Sequence, residues 1–103
     1  MEHILIAIEA IEKFMKGLEK GEFKTKDMEQ SAVIRQFEII GEAANNVSPK
    51  QKLALPNIPW REAISMRNFV VHDYFRVDYE RVWDTLQKDI PKLKRDIKKI
   101  LKD

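Results

Sequence analysis

With 103 residues, 44% of them hydrophobic and 35% charged, the chain can fill one hydrophobic core but not two, which excludes a disordered tail and leaves a single domain over residues 1–103. The absence of cysteine excludes disulfides, thiolate chemistry and cysteine zinc sites, and with only three glycines and four prolines the composition favours an all-α fold in a reducing cytoplasm. The net charge of +2 is uneven: seven basic and nine acidic residues fall in 1–50, twelve and eight in 51–103, which suits a polyanionic partner, although a run such as Lys92-Leu93-Lys94-Arg95 is more often a solvated helix face.

The acidic start Met1-Glu2-His3-Ile4 lacks the basic region of a secretion signal, and no apolar run reaches the roughly 18 residues that cross a bilayer. Ile4, Ile8, Ile11, Met15 and Leu18 recur at helical spacing, so a first amphipathic helix is predicted to stop near Gly21. Asp27 can cap a second helix, ending around Val47, whose buried stripe is Ile34, Phe37, Ile40, Gly41 and Ala44; Gly41 and Ala44 are small enough to let another helix approach closely. Ser48-Pro49 reads as a cap followed by proline at the first helical position, and predicts a short helical turn. Pro56-Asn57-Ile58-Pro59 breaks regular structure, and a third helix begins at Pro59 or Trp60. Asp78 caps a fourth, with Val77 and Val82 as a hydrophobic staple. Pro91 then kinks that helix or starts a fifth, with Leu93, Ile97, Ile100 and Leu101 as its buried stripe.

The stretch from Ala63 to Val71 is largely apolar around its circumference, as expected of a helix covered on most sides, in part by a second copy of the chain. Arg67, Asn68 and His72 interrupt it, and such groups are costly to bury unless paired, hydrated or facing a cleft. At about 100° per residue, Arg67 and Tyr74 fall within about 20° of each other, Asn68 lies about 40° from His72, and Arg67 and His72 are about 140° apart. Periodicity therefore proposes a polar corner. That corner can equally be a satisfied hydrogen-bond network closed by Glu42 or Asp73. His3 reads as incidental, and Trp60, Phe69 and Trp83 read as core residues before a base-stacking platform.

The string Arg67-Asn68-Phe69-Val70-Val71-His72-Asp73-Tyr74 resembles the arginine, four residues, histidine, any residue, tyrosine signature of HepT-like HEPN toxins. Ile39-Ile40-Gly41-Glu42-Ala43, Ile58-Pro59-Trp60, Asp73-Tyr74-Phe75 and Val82-Trp83 resemble further hallmarks of that family in the same order, although its members usually have several more residues before Glu2. The resemblance implies a four- to five-helix antiparallel bundle that dimerises with its motif helices face to face, and a metal-independent endoribonuclease site of Arg67, Asn68 and His72 in the cleft. Glu42 and Asp73 are possible supporting residues. It also implies an MNT-type nucleotidyltransferase antitoxin as partner, transferring AMP to Tyr74 to neutralise a toxin.

The residue types fit that chemistry. A histidine, with an ordinary pKa near 6.5, can act as acid or base, and an arginine offers planar donors to phosphate oxygens. One chain offers one credible catalytic histidine where concerted cleavage wants a base and an acid, and a symmetric homodimer supplies two. No carboxylate cluster of a metal nuclease accompanies the motif, no glycine-rich phosphate loop is present, and no cofactor is expected. The rival reading is a non-catalytic HEPN adaptor that presents a substrate to a nucleotidyltransferase.

Overall fold

The computed structural model describes residues 2–67 and 79–102. Asn68, His72, Asp73 and Tyr74, and the cap and staple residues Val77 and Asp78, lie outside the described residues. The described chain is all-helical: α1 (Glu2–Met15), α2 (Lys20–Phe23), α3 (Asp27–Asn45), α4 (Pro49–Ala54), α5 (Trp60–Ser65), α6 (Tyr79–Asp84) and α7 (Ile90–Lys102), with a π-helical turn at Thr85–Asp89 joining the last two. It forms the expected helical bundle. No helix among the described residues is long and apolar enough to cross a membrane.

The core is built on α1 and α3. Ile4, Ala7, Ile8 and Ile11 occupy one face of α1, and Val33, Phe37, Ile40 and Ala44 answer from α3, all buried. Each fully buried aliphatic or phenyl side chain here contributes roughly 1.5–3 kcal/mol relative to exposure. The first turn of α1 shares a groove with the last turns of α3, so the two helices run in opposite directions. The amphipathic face of α7, with Leu93 and Ile97 buried, closes the core from the other side of α1, and Lys94 Nζ donates to Glu12 Oε1 across that contact at 2.7 Å.

Several boundaries differ from the sequence reading for identifiable reasons. The first helix stops at Met15, because Gly17 takes φ +77° and turns the chain two residues past the helix end; Gly21 lies inside the short α2. That short helix was not expected, since four residues carry no readable period. It seats Phe23, fully buried, with its ring centroid 5.9 Å from that of Trp83 and the planes tilted by 42°. Buried Gln30 donates from Nε2 to the Phe23 carbonyl at 2.7 Å, which satisfies the amide and ties α2 to α3. Lys26, not Asp27, is the residue before α3, and Asp27 instead places its charge in the first turn, where the helix dipole favours it. The helix ends at Asn45, and Val33 takes the core position assigned to Ile34, which is half-buried. Leu101 is 42% exposed and belongs to the surface.

Two expectations hold closely. Ser48 caps α4, its Oγ accepting from the Gln51 amide at 3.1 Å, with Pro49 at the first helical position. The helix after Pro59 starts at Trp60, whose indole Nε1 donates to the Leu55 carbonyl at 3.0 Å and anchors the preceding loop. Pro91 sits at the second residue of α7. The Ile90 amide before it donates to Thr85 O, five residues back, and this wider turn makes room for a ring that would otherwise press on the carbonyl four residues earlier.

Candidate active site

The first residue of the motif is set by a close helix approach. A Cβ added at Gly41 of α3 would lie 2.6 Å from the Arg67 backbone nitrogen, 2.7 Å from the Arg67 Cβ and 3.0 Å from the Ile64 carbonyl. Those separations are far below ordinary contact, so only glycine lets the end of α5 rest on α3 at this point. Ala63 and Met66 of the same turn are buried in the core. The Arg67 amide donates to Ile64 O at 3.4 Å as the chain leaves α5. Backbone contact and side-chain burial thus fix where Arg67 starts.

The Arg67 guanidinium meets Glu42, the residue after Gly41, with Nη1 donating to Oε1 at 3.4 Å. The arginine side chain is 37% exposed and the glutamate 56%, so the pair is solvated and loose, and by analogy with exposed ion pairs is worth at most about 1 kcal/mol. Such a contact orients the guanidinium without sequestering it, and leaves its other donors for an anion. Of the candidate residues, the described structure brings together Arg67 and Glu42.

Glu42 also lines an open groove of about 770 Å³ between the start of α1, the last turns of α3 and the start of α4. His3, Asn46 and Gln51 share its walls, and Ile39 and Ala43 give it an apolar floor. His3 reads as incidental in the sequence, yet it shares this groove with Glu42. Its place opposite Glu42 depends on α1 and α3 running antiparallel, and nothing at residue 3 announces that. Trp60 and Trp83 both pack against the core, in line with their assignment there. Among the described residues no group of three histidine, cysteine, aspartate or glutamate side chains is placed to hold a metal ion.

A family model described as ribonuclease HepT-like matches residues 4–100. A Thermococcus cleftensis protein named as a probable ribonuclease HepT is 43% identical over 102 residues, covering 99% of this chain and 93% of its own. A Caldanaerobacter subterraneus protein with a provisional RNase name is 36% identical over 101 residues, covering 98% of this chain and 90% of its own. A Methanocaldococcus jannaschii protein, whose name joins a gamma-glutamylcyclotransferase to a provisional RNase, is 42% identical over all 103 residues. The chain spans 46% of that relative's length. No solved structure matches.

Proposed function

The chain belongs to the HepT-like ribonuclease family, and from that premise we propose that it is a metal-independent endoribonuclease whose site combines Arg67, Asn68 and His72. The observation that carries this reading is the Arg67–Glu42 pair beside Gly41: the motif arginine begins at a tightly packed helix junction, yet its guanidinium stays open to solvent. An arginine held this way suits a phosphate that arrives from solution.

In the proposed reaction the ribose 2′-oxygen attacks the adjacent phosphorus while a base takes its proton. The P–O5′ bond breaks as an acid protonates the 5′-oxygen, leaving a 2′,3′-cyclic phosphate and a 5′-hydroxyl. His72 supplies one proton transfer, and the His72 of a second protomer in a homodimer supplies the other. Arg67 neutralises charge on the phosphoryl oxygens, and Asn68 holds the imidazole or a phosphate oxygen. Glu42 keeps the guanidinium positioned between turnovers, and Asp73 is a second candidate for support. The cellular role that fits is a toxin restrained by an MNT-type nucleotidyltransferase. In the AMP transfer the Tyr74 phenolic oxygen gives up its proton and attacks the α-phosphorus of ATP, pyrophosphate leaves, and the attached AMP repels the RNA backbone and competes for Arg67.

The test is cleavage of mixed RNA in excess EDTA by the unmodified protein, by His72→Ala and by Arg67→Ala, each variant first matched for folding and dimerisation. Cleavage confined to the unmodified protein, with cyclic phosphate ends, supports the reading. Equal inertness of all three across varied RNAs moves the assignment to an adaptor, and equal cleavage removes His72 and Arg67 from the chemistry.

A further inference from the structure

From Ile90 to Lys102 the sequence carries six basic residues and one acidic residue, Asp96, an excess found in no other helix among the described residues. Two of the cations are engaged: Lys94 with Glu12 at 2.7 Å, and Lys92 with Asp96 at 3.3 Å. Arg95, Lys98 and Lys99 are exposed and have no ion-pair partner among the described residues. At 100° per residue, Lys92, Arg95, Lys98 and Lys99 span about 120° of the helix circumference, while the buried Leu93 and Ile97 define the face turned to the core. A solvated amphipathic helix needs charge on its outer face, but it does not need charge of one sign. Balanced acids and bases would keep the helix soluble with less self-repulsion.

The outer face is also not a bare cylinder. Lys92, Asp96, Lys99 and Ile100 form one wall of a groove of about 520 Å³ whose other wall is Ala54, the last residue of α4, and the loop of Leu55, Pro56 and Asn57. Lys92 lines a second, smaller depression as well, together with Ala63 and Met66, the residue next to Arg67. The cationic face thus begins beside the end of α5, just before the motif. From Lys92 to Lys99 the helix rises about 10 Å, the axial rise of roughly three phosphates on one strand of a nucleic-acid helix.

We propose that the outer face of α7, centred on Arg95, Lys98 and Lys99, is a docking surface for the phosphate backbone of RNA beyond the cleaved linkage. The choice of RNA as the polyanion rests on the ribonuclease reading; the surface itself rests on the charge and the groove. Phosphate contacts of this kind bind without reading sequence and set the register of the strand. They also make binding depend steeply on salt, because each neutralised phosphate of a single strand contributes about 0.7 to the slope of log affinity against log salt.

The test uses the full chain and the Arg95→Gln/Lys98→Gln/Lys99→Gln triple variant, whose three positions are exposed and whose replacement keeps good helix formers. Binding of a 2′-O-methyl oligonucleotide, which cannot be cleaved through the 2′-oxygen, is followed by fluorescence anisotropy from 50 to 200 mM salt. Three phosphate contacts predict that the unmodified protein loses on the order of twentyfold more affinity over that range than the variant. Cleavage of a trinucleotide, too short to reach the ridge, is expected to be equal in the two proteins. Equal salt slopes and equal affinities overturn the proposal even if the protein cleaves RNA. A lost slope in a protein that never cleaves RNA keeps the ridge and overturns the ribonuclease reading alone.

Discussion

The two ends of segment 68–78 are held by different physics. On the Arg67 side, α5 lies on α3 with backbone against the position of a missing Cβ, and Gly41 leaves nothing flexible in the contact. On the far side, the first turn of α6 carries Glu80, whose carboxylate receives both Lys20 and Lys24 from α2 and the turn after it, with all three side chains about half exposed. Beneath that ionic contact lies an apolar one, Phe23 against Trp83. A contact between backbones cannot be lengthened without moving a helix, whereas lysine side chains follow a carboxylate through several rotamers. Arg67 is therefore the rigidly placed end, and burial, not charge, secures the other.

The largest effect is therefore expected from Phe23→Ala. Phe23 is fully buried, its carbonyl satisfies Gln30, and removal of the ring leaves a cavity facing Trp83. Urea denaturation should show a loss of about 3–5 kcal/mol, the range for buried phenylalanine truncations. A loss below about 1 kcal/mol would mean that α2 is dispensable and that the far junction depends on its ion pairs after all.

Gly41→Ala comes next and separates the two ends by function. Alanine gains about 1 kcal/mol of helix propensity over glycine, but its Cβ would stand 2.6 Å from the Arg67 nitrogen, and α3 and α5 must part to relieve it. The net expectation is a loss of about 1–2 kcal/mol, together with a fall in the rate of RNA cleavage larger than that caused by the more destabilising Phe23→Ala under conditions where both remain folded. A variant as stable and active as the parent would show that the junction is not tight.

The same contrast explains what the sequence disclosed. Periodicity exposed α1, α3 and α7, because each has a long buried stripe such as Ile4, Ile8 and Ile11, and the Ser48-Pro49 cap announced α4 by local chemistry alone. Gly41 could be recognised as a point of close approach, but its partner could not, since the meeting with Arg67 joins residues 26 positions apart. Glu42 was one of two possible supporting carboxylates, and only the packing of α5 on α3 brings it to the guanidinium. The four-residue α2, the choice of Gly17 over Gly21 and the groove shared by His3 and Glu42 stayed hidden for the same reason: short or nonlocal features leave no period.

The smallest effect, and the sharpest in its pH signature, belongs to Glu80→Gln. The hydrogen bonds from Lys20 and then Lys24 hold the Glu80 carboxyl below its ordinary value of 4.5, and Glu80 in turn raises Lys20 above 10.5. A carboxyl whose pKa is lowered by folding stabilises the fold above its unfolded value and loses that contribution as pH falls through the folded one. A lysine whose pKa is raised contributes below 10.5 and loses it as pH rises through the raised value. The stability difference between parent and variant should therefore be a plateau across the neutral range, fade in acid from 4.5 downward and vanish once the pH is below the lowered value, shrink in alkali above 10.5, and diminish with added salt because the partners are exposed. Urea midpoints at pH 7 and pH 3, each at low and high salt, read all of this except the alkaline limb. A difference that persists undiminished in acid would mean that Glu80 holds α6 by packing, and the far junction would then resemble the Gly41 contact more than it differs from it.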